Sequence, residues 1–170
     1  MRKMWTFMIV IFLLSVSNAS ATPSIKEDAA QLLSVFKELR FTVESNPNYA
    51  IYRDSLVKAN IEYRRFIDKY PGSALQYKAE NVINAYKEAH EIWRRAVFER
   101  SSSVKLESPY GQNLVRKYPS LMNVKLHEDI RAKDNVVTGH WWWYSEIIPE
   151  LWQIAAKQEA LLQAEIEKQQ

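Results

Sequence analysis

The sequence predicts an all-α protein built of stacked antiparallel helical hairpins, a bundle or a short solenoid. Three observations carry that expectation. Gly occurs only 3 times and Pro 6 times in 170 residues, too seldom for a sheet rich in tight turns. Apolar residues recur at spacings of three and four over long stretches, as one face of a helix requires. Those stretches open on Ser or Asn, and the first two close on Pro, residues that cap and break helices. Hydrophobic residues make up 47% and charged residues 25%, a globular balance that excludes a disordered chain.

The first 21 residues stand apart. Met1-Arg2-Lys3 is a short basic start, and residues 4–16 are apolar except for Thr6 and Ser15. Small residues follow at Ala19 and Ala21, in the A-x-A pattern of a secretory cleavage site. The apolar run falls short of the roughly 20 residues that span a bilayer. Residues 1–21 therefore read as a cleaved signal peptide, and residues 22–170 as a single exported helical domain, periplasmic or secreted. Losing Arg2 and Lys3 lowers the formal charge from +3 to +1, which removes the electrostatic case for nucleic acid. Cysteine is absent, so the chain has neither a disulfide nor a lipidated thiol.

The helices are expected at about 24–45, 47–70, 73–100 and 145–168. Ser24 and Glu27 have capping-box spacing, and Ile25, Ala29, Leu32, Phe36, Leu39 and Val43 form the first stripe. Asn46-Pro47 ends this helix and starts the next, with Asn46 as cap. Tyr49, Tyr52, Leu56, Ala59, Tyr63, Phe66 and Tyr70 form the second stripe, which Pro71-Gly72 breaks. Ser73 with Gln76 is another capping box, opening a third stripe of Leu75, Ala79, Val82, Tyr86, Ala89, Trp93 and Val97. From Ser145, Ile147, Leu151, Ile154, Leu161 and Leu162 line the last helix. Pro149 fits there if the helix starts nearby or kinks.

Residues 101–139 are less regular. Met122, Val124 and Leu126 alternate with polar residues as in a strand, while Met122, Leu126 and Ile130 also suit a helix. With helices on both sides, short helices and loops are the expectation.

The segment Phe66-Ile67-Asp68-Lys69-Tyr70-Pro71 parallels Leu114-Val115-Arg116-Lys117-Tyr118-Pro119. Ala59, Tyr63, Phe66-Ile67, Lys69-Tyr70-Pro71-Gly72-Ser73 and Ala79 resemble the helix-turn-helix of tetratricopeptide-like repeats in bacterial envelope proteins. Outer-membrane assembly lipoproteins and periplasmic Tol-system proteins carry such repeats. The likeness covers about residues 48–93, without a lipid-anchoring Cys or further tandem copies. It implies a concave helical surface that holds a protein partner.

Motifs for chemistry are few. There is no G-x-S-x-G elbow, no H-E-x-x-H pair and no Cys nucleophile. Gly72, Gly111 and Gly139 are too scattered to cradle a phosphate. The 20 acids offer many carboxylate pairs, and spacing singles out none. No catalytic residue, metal ligand or cofactor is expected. His90 reads as a satisfied core residue, and His127-Glu128-Asp129 lacks a second His at ligand spacing.

Gly139-His140-Trp141-Trp142-Trp143-Tyr144 is the most unusual stretch. On the wheel of the last helix Trp143 falls beside Ile147 and Leu151, Trp141 near the edge, and Trp142 on the outside. One reading makes the cluster core; the other makes Trp142, beside His140, a platform for a peptide, a sugar ring or a lipid headgroup. The candidate binding residues are His140, Trp141, Trp142 and Tyr144, with Tyr63 of the tyrosine stripe and Arg94 of the basic helix surfaces. The function expected is a non-catalytic adaptor of the bacterial cell envelope that binds a protein partner. The alternative is a cell-wall glycan or lipid-binding module that uses the Trp cluster against peptidoglycan or the membrane surface.

Overall fold

The computed structural model describes residues 24–133 and 135–168; the expected signal peptide lies outside them. The first three helices are α1 (Ile25–Glu44), α2 (Tyr49–Lys69) and α3 (Ala74–Phe98). Strand β1 (Ser103–Lys105), helix α4 (Pro109–Lys117) and a 3-10 turn (Pro119–Asn123) follow. Strands β2 (His127–Arg131) and β3 (Val136–Trp143) lead directly into α5 (Tyr144–Glu167). The protein is mostly helical, with one small three-stranded sheet.

Side-chain chemistry sets the helix limits. The Ser24 Oγ accepts from the Glu27 N–H at 3.2 Å while the Glu27 carboxylate accepts from the Ser24 N–H at 2.7 Å, a complete capping box. The cap of α2 is Asn48, not Asn46: Asn48 Oδ1 accepts from the Ile51 N–H at 3.0 Å. Asn46 instead turns the chain out of α1 with φ 53°, a left-handed conformation that Asn tolerates. At Ser73 the box is half made, because Gln76 accepts from the Gly72 N–H rather than from the cap.

Tyr70 and Tyr118 explain the repeated Lys-Tyr-Pro. Each precedes a proline, which disfavours helical backbone, and the two adopt φ −130°, ψ 58° and φ −133°, ψ 76°. After Pro71-Gly72 comes a long helix; after Pro119 comes only the 3-10 turn. The shared sequence is thus a common way of ending a helix.

Helices α1, α2, α3 and α5 enclose one core. Glu38 bonds Lys58 and Asp28 bonds Lys69, so α1 and α2 run antiparallel. Tyr86 bonds Glu159, and Trp93 lies 5.9 Å from Trp152 between ring centres, so α3 and α5 do too. Lys37 bonds Gln163, which places α5 antiparallel beside α1. Phe36, Tyr52, Leu75, Ile83, Tyr86, Ile92, Ile147 and Leu151 fill the interior. Burying each such side chain is worth about 1.5–3 kcal/mol, and together they hold the bundle. Pro149 sits six residues into α5, near enough to its start that only the Ser145 carbonyl loses an N–H partner.

The region expected as short helices and loops contains α4 and the 3-10 turn, but also β1, β2 and the first half of β3. The sheet order is β1-β3-β2, antiparallel throughout. It caps the end of the bundle where α3 stops and α5 starts. Gly111, in the first turn of α4, lets that helix touch the chain leaving β1: a Cβ there would lie 2.2 Å from the Lys105 carbonyl oxygen.

Candidate functional site

The three indoles belong to β3, not to a helix, which overturns their expected orientations. In a strand successive side chains point to opposite faces. Trp142 therefore faces inward with its cross-strand neighbour Val104 and is 0% exposed. Trp141 and Trp143 share the outer face, and Trp143 is 39% exposed. Trp142 is core, and Trp143, expected in the core, is the open indole.

Register assembles an aromatic ledge on that outer face. His127 lies directly across from Trp141, and their rings stack at 4.8 Å and 21°. Trp143 meets Trp141 edge-on, at 4.3 Å and 85°. Glu146, in the first turn of α5, holds the assembly together. Its two carboxylate oxygens accept from His127 Nε2 at 3.0 Å, and one also accepts from the Trp143 N–H at 3.3 Å. Partial burial works to raise the Glu146 carboxyl, yet these two donors hold it below the ordinary carboxylate range. The ledge is a fixed, solvent-open aromatic surface with a carboxylate at its rim.

The other expected site residues are placed as follows. His140 points to the opposite face from Trp141; its Nδ1 and backbone N–H both donate to Glu107, at 2.9 and 2.8 Å. The His140 bond lowers the Glu107 carboxyl from its usual value. Tyr144 is buried, with its hydroxyl 2.9 Å from the Ser101 Oγ. Tyr63 is buried in the core on α2. Arg94 is held on α3 by Glu91 and Glu99, with bonds of 2.7–3.0 Å. Only Trp141 of the expected set lies in the ledge. His127, Trp143 and Glu146 complete it, and the β-branched run Val136-Val137-Thr138 ahead of the indoles was the signal for a strand.

A second feature lies at the same end of the bundle. Asn46, Trp93, Ala96, Ile148, Pro149 and Trp152 border an open apolar cleft of about 370 Å³. Tyr49 covers one flank, stacking on His90 at 5.2 Å and bonding its Nε2 at 3.0 Å. Burial pushes His90 below its ordinary pKa, so it sits neutral in this aromatic surround. Exposed Ile51, Val97, Phe98, Trp143, Ile130, Val136 and Val137 all belong to this end or to the hairpin that projects from it.

Among the described residues no group of three or more His, Asp or Glu side chains is placed to hold a metal ion. No described helix is long and apolar enough to cross a membrane. No family model matches the chain, and neither a curated protein nor a solved structure matches it.

Proposed function

We propose that this protein is an exported, non-catalytic adaptor of the bacterial cell envelope that docks a protein partner on the sheet-capped end of its bundle. One observation carries the reading: seven of the thirteen large apolar side chains exposed among the described residues lie at that end or on its hairpin, near the ledge and the cleft. Apolar exposure gathered at one end marks an interaction surface more than single scattered residues do. The ledge is preorganised by Glu146, so ordering it costs a partner little. Export rests on the basic, apolar and A-x-A pattern of residues 1–21. The tetratricopeptide likeness of α2 and α3 supports the envelope setting, with docking shifted from a helical groove to the sheet end.

The test is site-specific crosslinking in the periplasm. A photoreactive residue at position 143 should trap a defined partner that the same probe at Val57, on the outer surface of α2, does not. Equal labelling at the two positions, or none at 143, would sink the proposal.

A second reading is favoured by the ledge itself. An open indole with an adjacent carboxylate suits a sugar ring, which stacks its C–H face on Trp and bonds its hydroxyls to Glu. Peptidoglycan fragments should then quench Trp emission in the wild type and leave Trp143→Ala unchanged. A flat titration of the wild type rejects this glycan reading.

A further inference from the structure

The outer edge of the sheet carries a self-complementary pattern. Strand β2 is an edge strand, and residues 128–131 are exposed. Its outward backbone groups follow from the ladder. The His140 carbonyl accepts from the Leu106 N–H at 2.8 Å, so His140 turns its backbone toward β1. Gly139 and Trp141 then turn theirs toward β2, where they meet Asp129 and His127. The Arg131 carbonyl closes the hairpin turn by accepting from the Asn135 N–H at 2.9 Å. Glu128 and Ile130 are left with their N–H and C=O groups pointing out of the sheet, an open template for another strand.

We propose that β2 is the seam of a symmetric dimer, pairing antiparallel with β2 of a second copy so that Ile130 lies opposite Ile130. Only registers that bring outward groups together can form hydrogen bonds, so the two-fold axis must pass through a residue of β2. An axis at Glu128 sets carboxylate against carboxylate, and an axis at Asp129 does the same. An axis at Ile130 sets Asp129 opposite Arg131 of the second copy, twice over, with an apolar pair between them. Cross-strand charges of opposite sign stabilise a sheet and like charges oppose it, which disfavours axes at Glu128, Asp129 and Arg131. An axis at His127 would overlap the two β2 strands by only one residue, so the Ile130 register remains.

Apolar contact points the same way. Ile130 pairs with Val137 within the hairpin, and the two are 49% and 41% exposed. Pairing at Ile130 lines up Val137, Ile130 and their two counterparts as one continuous apolar row across the seam. The result is a six-stranded sheet that carries both ledges on the same face. Its two β3 strands stand about 14 Å apart, three strand spacings. A partner with two matching sites would bind this pair far more tightly than one ledge. The dimer does not depend on the adaptor reading, since it needs only a second copy.

The test is sedimentation equilibrium of the purified protein over a wide concentration range, with folding of every variant checked by circular dichroism. The wild type should dimerise reversibly. Asp129→Arg alone and Arg131→Asp alone should each weaken the dimer about tenfold or more, because each sets like charges opposite one another. Mixing the two single variants should restore dimers, because the introduced arginine of one copy then faces the introduced aspartate of the other, and the second pair is native. The double variant should dimerise by itself, since both of its cross-seam pairs are again of opposite charge. A wild type that stays monomeric, single variants that dimerise like the wild type, or a mixture that stays monomeric would each overturn the proposal.

Discussion

Replacing Trp142 and Trp143 one at a time separates the strand from the helix that the sequence had suggested for them. Trp142 is 0% exposed and among the largest fully buried side chains. An indole buries about 150–250 Å². At about 25 cal/mol per Å² its transfer is worth roughly 4–6 kcal/mol. Its Nε1 is buried without a hydrogen-bond partner, which takes back about 1–3 kcal/mol. Trp142→Ala should therefore cost about 3 kcal/mol and lower Tm by roughly 10 °C, at about 2–4 °C per kcal/mol for this size. Trp142→Phe keeps most of the area and sheds the unmet N–H, so its cost should stay near 1 kcal/mol. Trp143→Ala removes a half-open side chain and should cost less than about 1 kcal/mol. Urea unfolding followed by far-ultraviolet circular dichroism measures all three. A Trp143→Ala variant as unstable as Trp142→Ala would refute the alternation, and the ledge with it.

Glu159 is 2% exposed, bonded to the Tyr86 hydroxyl at 2.7 Å with Arg40 at 3.6 Å, and burial raises its carboxyl above the ordinary 4.5. The folded protein thus holds this proton more tightly than the unfolded chain, so its share of stability falls as pH rises from 4.5 through the raised value. Glu159→Gln should flatten that slope and raise Tm at pH 7; an unchanged slope in thermal scans from pH 4 to 8 contradicts it. Asp28 behaves oppositely, because the Lys69 ammonium and the Tyr70 hydroxyl bond it and lower its pKa from 3.8. The stability gap between wild type and Asp28→Asn should close as pH falls below 3.8, and a gap that persists in acid counts against the tie. Gly111→Ala drives a Cβ to 2.2 Å from the Lys105 oxygen and 2.8 Å from the Leu106 oxygen, so it should cost about 3 kcal/mol in chemical denaturation. A neutral effect would mean that α4 does not pack on β1.

The helical bundle was legible because its signals are local and redundant. In α1 and α3 the caps Ser24 and Ser73 and the apolar stripes state the same helix twice, whereas α2 was read by its stripe, its cap being Asn48 and not Asn46. The sheet was not legible for a physical reason. Strand β1 is 3 residues long, and β2 contains Glu, Asp and Arg in an exposed edge, so neither shows an apolar period. In β3 three consecutive indoles mask their own alternation, since hydrophobicity is equal on both faces. His127 entered the site only through its register with Trp141, fourteen residues away in sequence, which no local pattern encodes.

The ledge exists because two periodicities meet without a loop between them. Trp143 ends β3 and stands at the N-cap of α5, so the residue that points outward by strand alternation is also the first anchor of a helix. An indole cannot accept a hydrogen bond, and Trp143 therefore supplies no side-chain cap for the helix. Glu146 makes good half of that loss by reaching back to the Trp143 N–H, and the same carboxylate then holds His127 across the sheet. One acid thus joins the first turn of α5 to β2 and sets the angle at which the aromatic rings face solvent. A surface held in this way neither collapses onto the core nor swings free. That fixed geometry joins the sheet to the bundle and suits the docking proposed for this face.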